Sequence, residues 1–277
     1  MSATHLPYQN VLVIAANGKT GRRVLSVRRG SRSGIPAFDW ARRETWAAAM
    51  AGVDAVYVVY QPDLAVPSAP DDIRAFSKIA REQGVRKVVL LSGRGVKEAA
   101  VAETIIADSG LEWTFVRAAW FSQNFSEGDF GFMTQAGVIA LPMGDAVEPI
   151  IDADDIAEVV AVALTDTSLN DQSLDLSGPE ALTHDQIAGV LSKATGRKIR
   201  YEPITDDAFR SALNSLDVLA EYIDLLVYLF DVTRSGVNAA PTGDVERILG
   251  RPAKSFGEFA LEAASEGLLA PQGVTHG

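Results

Sequence analysis

The chain has 277 residues, with 36 acidic and 25 basic side chains, a formal net charge of −11, three histidines and no cysteine. That length can bury a substantial core as one large or two small domains. Without cysteine there is no disulfide, no thiolate nucleophile and no cysteine-bound zinc. His5 and His276 lie near the ends and leave only His184 inside, so a Ser-His-Asp triad or a multi-histidine metal site is a poor fit and no metal is expected. No apolar run reaches the roughly 18–20 residues of a membrane span, and the opening stretch MSATHLPYQN has neither a basic nor an apolar leader region. The expected setting is the cytoplasm.

The charge is uneven. Residues 1–150 hold 16 basic and 15 acidic groups, whereas residues 151–277 hold 9 and 21. Eight of the basic groups crowd between positions 19 and 43, where Asp39 is the one acid. Such a cluster on an acidic chain suggests a small anionic ligand, with a solvated arginine-rich surface as the alternative. The net field disfavours nucleic acid.

In chain order, the branched apolar runs at residues 10–15, 55–60, 87–92 and 113–117 read as buried parallel strands. Between them the patterns at 71–83 and 98–109 read as helices, stopped by Gly84 and Gly110. Strand alternating with helix predicts an α/β fold, a doubly wound parallel sheet. The second half changes character. Helices are expected over 152–165, 183–195, 205–215 and 216–230, with a strand over 198–204 and a last helix ending near Gly267. Thr183 with Gln186, and Ser255 with Glu258, have capping-box spacing. The expected division is a dinucleotide-binding domain over 1–150 and a smaller, mostly helical C-terminal lobe over 151–277.

After the first strand comes Ala15-Ala16-Asn17-Gly18-Lys19-Thr20-Gly21. It is a G-x-x-G-x-x-G loop with alanine in the first glycine position. Glycines there permit a tight turn and close approach to a pyrophosphate at a helix N-terminus. Further on, Arg32 and Ser33 stand where NAD-binding chains carry an acid for the ribose 2′-OH. An arginine there suits a 2′-phosphate, so NADPH is expected over NADH. Asp39 either closes a strand beside an adenine pocket or sits in a turn.

Taken together, the segments at 10–23, 30–34, 38–40, 52–62, 84–95, 109–127, 152–164, 176–199 and 249–260 resemble the NmrA-like branch of atypical short-chain dehydrogenases. They are most similar to the subgroup with agroclavine-dehydrogenase-like reductases. The resemblance implies a Rossmann-type domain binding NADPH and a lobe over the substrate. It assigns Gly18, Lys19, Thr20 and Gly21 to phosphate, Arg32 and Ser33 to the 2′-phosphate, and Tyr60 and Gln61 to the cofactor ribose. Ser92 and Gly93 would lie near the nicotinamide, as would Ala118, Ala119 and Trp120.

No tyrosine is followed by lysine four positions on, so the usual proton donor of short-chain dehydrogenases is missing. Hydride transfer without a strong acid needs an activated acceptor, such as an iminium or a quinone-like conjugated system. Ser92, Arg94, Lys97 and Trp120 are the catalytic candidates, and Trp120, Phe121 and Asn124 the substrate candidates. Each also has a packing or surface alternative, and His184 is expected to be structural. A non-catalytic NADP-binding regulator is the rival function. The oligomeric state is open.

One spacing stands out. Only residues 22–26 separate Gly21 from the start of the next expected strand near Val27, and Ala15 to Arg32 spans 17 positions where the fingerprint has about 20. A crossover usually needs a dozen residues or more. The spacing predicts a first helix of about two turns, or a displaced second strand, and a loosened adenosine half of the pocket.

Overall fold

The computed structural model describes residues 7–28, 32–33 and 38–271, with the backbone alone for Arg32, Ser33 and Asp129. In chain order the elements are β1 (Val11–Val13), α1 (Gly21–Val27), β2 (Arg32–Ser33), α2 (Trp46–Met50), β3 (Ala55–Val58), α3 (Ala69–Glu82), β4 (Lys87–Gly93), α4 (Lys97–Ala107), β5 (Glu112–Ala118), α5 (Asp129–Ala136), β6 (Val138–Leu141), β7 (Val147–Glu148), α6 (Ala153–Ala163), β8 (Gln172–Leu176), β9 (Leu182–Thr183), α7 (His184–Thr195), β10 (Arg200–Pro203), α8 (Asp206–Asn214), α9 (Ala220–Arg234), α10 (Asp244–Leu249) and α11 (Phe256–Ser265).

The first unit comprises residues 1–118, 153–176 and 243–251. Its sheet has six parallel strands in the order β2-β1-β3-β4-β5-β8. The branched runs predicted as strands are here because they are buried on both faces: every residue of β1 and β3 is inaccessible. Right-handed crossovers put α1 and the α3–α4 pair on opposite faces. α3 shows how the sequence chooses its face: Ala69, Ile73, Phe76, Ser77 and Ala80 are buried at helical spacing. On the other side α6 packs beside α1, and its buried Asp155 pairs with Arg251 at 2.7 Å.

The first crossover is short. α1 has seven residues, about two turns, and β2 pairs with β1 over only two, Leu12 with Arg32 and Val13 with Ser33. The second strand is therefore in its parallel place, and the helix absorbs the missing length. The side chains of Arg32 and Ser33 lie outside the described residues.

The second unit comprises 119–152, 177–242 and 252–277. It is not purely helical. β6 pairs in parallel with β10, and β7 pairs antiparallel with β9. Around them α5, α7, α9 and α11 enclose a core that includes Phe125, Phe130, Phe209, Phe230 and Phe256. Both predicted capping boxes form, at Thr183 and at Ser255.

A single cut at residue 150 does not describe this division. The chain leaves the first unit after Ala118 and returns twice, because β8 pairs with β5 and α10 packs on α6. The expected helix over 216–230 starts later, at Ala220, and runs on to Arg234. Asp217 turns the chain at φ +57°, and Arg234 is anchored by Asp206 at 2.7 Å.

Candidate functional site

In the first unit the sheet order reverses about β1, with β2 on one side and β3 on the other. Ligands of open α/β sheets lie beyond the carboxyl ends of the strands at such a point. The residues there are built as follows.

Ile14 N–H donates to the Tyr57 carbonyl at 3.0 Å, carrying β1–β3 pairing one residue further. Ala15 then turns with φ +54°, a left-handed conformation unusual for a residue with a Cβ. The loop wraps around the Ala15 carbonyl. Gly18 N–H donates to it at 2.8 Å, and a Cβ on Gly21 would stand 2.2 Å from the same oxygen. A Cβ on Gly18 would stand 3.1 Å away. Gly21 is thus demanded by the loop's own packing. Thr20 is pinned inward, its hydroxyl accepting from the buried Tyr57 hydroxyl at 3.0 Å. Burial raises Tyr57 well above the usual phenol range. Asn17 is exposed and Lys19 half-exposed at the rim.

Four side chains of the basic cluster have partners within the protein. Arg23 pairs with Asp154 at 2.7 Å, Arg43 with Asp72 at 2.7 Å and Arg42 with Glu44 at 3.2 Å. Arg28 donates to the Tyr8 carbonyl at 2.7 Å, and burial lowers its pKa.

At the end of β3, the Tyr60 hydroxyl donates to Asp72 at 2.8 Å, and Gln61 is exposed beyond it. The Tyr60 ring lies 4.7 Å from that of Trp40, whose indole N–H donates to the Val59 carbonyl at 2.9 Å. Asp39 sits in a turn. Its carboxylate accepts from Ala41 N–H at 2.9 Å in a turn, and its carbonyl accepts from Trp46 at 2.7 Å. An aspartate with a free backbone N–H two residues on favours that turn over a ladder. Trp40, one residue beyond Asp39, is the nearby group that sequence reasoning missed. The paired aromatics of Phe38-Asp39-Trp40 were the signal.

At the end of β4, the buried Ser92 hydroxyl donates to Glu103 at 2.6 Å. Arg117 on the neighbouring strand donates through Nε to Glu103 at 2.9 Å and 3.1 Å. Ser92's one proton is therefore engaged. Gly93 follows, where a Cβ would stand 2.9 Å from Val96. Arg94 N–H donates to the Ala118 carbonyl at 3.2 Å, joining the ends of β4 and β5, and Lys97 is exposed as the first residue of α4. The sheet thus brings residues 15–21, Tyr60, Gln61, Ser92, Gly93 and Ala118 to one edge.

In the second unit, Trp120 N–H donates weakly to Glu148 at 3.4 Å, and its indole N–H donates to Thr233 at 3.0 Å. Phe121 bridges to Ile151, and Asn124 is half-buried on the one-turn segment Ser122–Phe125. A cavity of about 10 Å³ opens between Trp120, Phe130, Phe230, Glu148 and His184. That is the lower limit of the space one water needs. His184 is 5% exposed, its Nδ1 is buried with no hydrogen-bond partner, and burial depresses its pKa to about 4. It does sit in the first turn of a helix as expected, yet its ring faces a cavity. Neither Glu148 nor the cavity had a sequence signal, because both depend on contacts distant along the chain.

Among the described residues, no group of three or more acidic or histidine side chains could hold a metal. No described helix is long and apolar enough to cross a membrane.

The chain belongs to the NmrA-like family, whose model matches residues 6–240. It is 32% identical over 286 residues to (4-alkanoyl-5-oxo-2,5-dihydrofuran-3-yl)methyl phosphate reductase of Streptomyces griseus, covering 92% of this chain and 98% of that one. It is 28% identical over 281 residues to agroclavine dehydrogenase of Claviceps fusiformis, covering 91% and 96%. In fold it is similar to Citrobacter sp. triphenylmethane reductase complexed with NADP(H), with a TM-score of 0.76, 17% identity and coverage of 92% and 99%.

Proposed function

We propose that this protein is an NADPH-dependent reductase that transfers hydride to a small activated organic acceptor, an iminium or a quinone-like system. The observation that carries the reading is the loop at the switch point, closed so tightly on the Ala15 carbonyl that Gly21 admits no side chain. That geometry fits a pyrophosphate lying against the start of α1. Gly18, Lys19, Thr20 and Gly21 would hold it, with Ala15 and Asn17 at the rim. The register of β2 sets the backbone of Ser33 beside Val13, next to this loop, which is the position from which Arg32 and Ser33 would meet the 2′-phosphate. Tyr60 and Gln61 would border the ribose, and Ser92, Gly93 and Ala118 the nicotinamide. NADPH supplies the hydride when bound. The related reductases and the NADP(H)-bound structural relative support the same reading.

The acceptor class follows from what the protein withholds. The hydroxyls of Tyr57, Tyr60 and Ser92 at this edge all donate to protein acceptors. An acceptor whose hydride step needs no proton suits such a site. Trp120, Phe121 and Asn124 are the residues assigned to the acceptor.

Calorimetric titration with NADPH and NADH tests the cofactor assignment. A charge-assisted contact to the 2′-phosphate contributes about 1.5–3 kcal/mol, so NADPH should bind roughly tenfold to a hundredfold more tightly. Absence of heat with either nucleotide would defeat the reading. NADPH oxidation is then followed against a panel of iminium and quinone acceptors. The same engaged hydroxyls also favour a non-catalytic NADP-binding regulator. Tight binding without turnover on any acceptor, together with NADP-dependent capture of a partner, would select that function instead.

A further inference from the structure

One aromatic side chain of the first unit stands where β1 leaves the sheet. The Tyr57 carbonyl accepts from Ile14 N–H, and the chain then turns away from β3 at Ala15. Val59 lies two positions beyond Tyr57. Along an extended chain, groups two residues apart point the same way, about 7 Å from one another. The Val59 carbonyl is thus the next acceptor on the edge that β1 has vacated. Trp40 fills it, its indole N–H donating at 2.9 Å. The indole therefore sits at the carboxyl end of β3, beside the base of the glycine loop.

The ring is also held from behind. It lies 4.7 Å from the ring of Tyr60, 4.9 Å from Phe38 and 5.3 Å from Trp46. Trp46 and Phe76, which back this group, are fully buried. Trp40 itself is only half-buried, so part of the indole is left open. Its one polar hydrogen is already spent on Val59, and what remains to offer is an apolar, electron-rich surface.

We propose that Trp40 is the platform on which the adenine of the dinucleotide stacks, so that the base is read by its π face and not by its hydrogen-bonding edge. This rests on the reductase reading and adds a specificity to it. A ring fixed by a hydrogen bond and three aromatic neighbours loses little freedom when a base settles on it. Every purine has a π face, so stacking tolerates a change at the base edge that a hydrogen-bonding pocket would reject. The neighbouring acid, Asp39, has a carboxylate oxygen committed to the Ala41 N–H of its own turn.

The test compares nucleotides on the full chain. Calorimetry of the parent should give NADPH and its hypoxanthine analogue affinities within about threefold of each other. Trp40→Leu should weaken both by about tenfold or more, the worth of one stacked base. It should leave reduced nicotinamide mononucleotide, which has no adenine, unaffected. Trp40→Phe keeps a ring and should recover most of the loss. As a spectroscopic check, 2′-phospho-ADP-ribose, which lacks nicotinamide, should quench tryptophan emission in the parent and not in Trp40→Phe. A preference of about tenfold for adenine over hypoxanthine would put recognition at the base edge and overturn the proposal. So would quenching that persists in Trp40→Phe, or a Trp40→Leu protein that binds NADPH like the parent. If Trp40→Leu fails to melt cooperatively, the hypoxanthine comparison and the quenching still decide it. Failure of every nucleotide to bind defeats the reductase reading and this one with it, whereas NADPH binding that discriminates at the base edge defeats this one alone.

Discussion

Replacing Gly21 by alanine is the sharpest perturbation the structure offers. The new Cβ would stand 2.2 Å from the Ala15 oxygen, 2.8 Å from the Ala15 carbonyl carbon and 3.1 Å from the Ala16 Cα. All three atoms are backbone, so no side chain can rotate away. Ordinary separations between non-bonded heavy atoms are about 3.5 Å, so the loop must open by about 1 Å. Overpacking of that kind costs typically 1–3 kcal/mol, and here the upper end applies because the loop is anchored on both sides by β1 and by the Tyr57 contact to Thr20. At about 2–4 °C per kcal/mol, the melting temperature should fall by roughly 6–12 °C. NADPH affinity, measured calorimetrically below the melt, should fall at least tenfold because the opened loop no longer presents its amides together. Gly18→Ala is the internal control. Its Cβ would meet the same oxygen at 3.1 Å, a contact relieved by a few tenths of an ångström, and it should cost less than about 1 kcal/mol. A Gly21→Ala protein that melts and binds NADPH like the parent would refute the account of the loop.

Three further outcomes follow from buried polar groups. His184 titrates at about 4 in the fold against 6.5 in the unfolded chain, so the unfolded state binds more protons between those values. Stability contributed by neutral His184 is complete above about pH 6.5 and lost as pH falls towards 4, by about 3 kcal/mol. Urea titrations across that range should show the slope in the parent and a flatter profile in His184→Phe. Lys87 is buried and its pKa is lowered by desolvation to about 8, so stability should rise with pH between about 8 and 10.5, and Lys87→Met should remove that rise. Ser92→Ala should cost about 1 kcal/mol, the worth of one hydrogen bond, because Arg117 still satisfies Glu103. Its turnover should keep the parent's pH profile, and a hundredfold loss of kcat would restore Ser92 as a proton donor.

The fold was legible where local signals and burial agree. The runs at 55–60 and 87–92 became β3 and β4 because continuous branched apolar sequence is stable only when buried on both faces. The capping boxes at Thr183 and Ser255 needed only their own four residues. β8 was not legible. It is an edge strand of alternating Ser173, Leu174, Asp175 and Leu176, whose pairing with β5 depends on residues nearly sixty positions earlier. The interleaving of the two units is invisible for the same reason. The glycine loop could be read from spacing, but the engagement of Ser92 by Glu103 and Arg117 could not, since it joins two strands and a helix. Asp39 was ambiguous because turn and strand-end aspartates have the same local sequence.

The short crossover raises the question of what holds α1 in place. The helix buries only Gly21 and Val24, and Val27 is largely exposed. A single buried valine contributes about 1.5–3 kcal/mol, modest for an element that must present a phosphate loop. Polar ties supply the remainder. Arg23 reaches Asp154 on α6 at 2.7 Å and the Lys19 carbonyl at 2.8 Å, while Arg28, just past the helix, is held by the Tyr8 carbonyl. Arg23 is only 19% exposed, but Asp154 is 48% exposed, so the pair itself contributes no more than about 1 kcal/mol. The geometric role is larger, because Arg23 joins the loop carbonyl to the neighbouring helix and so fixes the direction of α1. Arg23 and Arg28 therefore act as scaffolding for the shortened crossover.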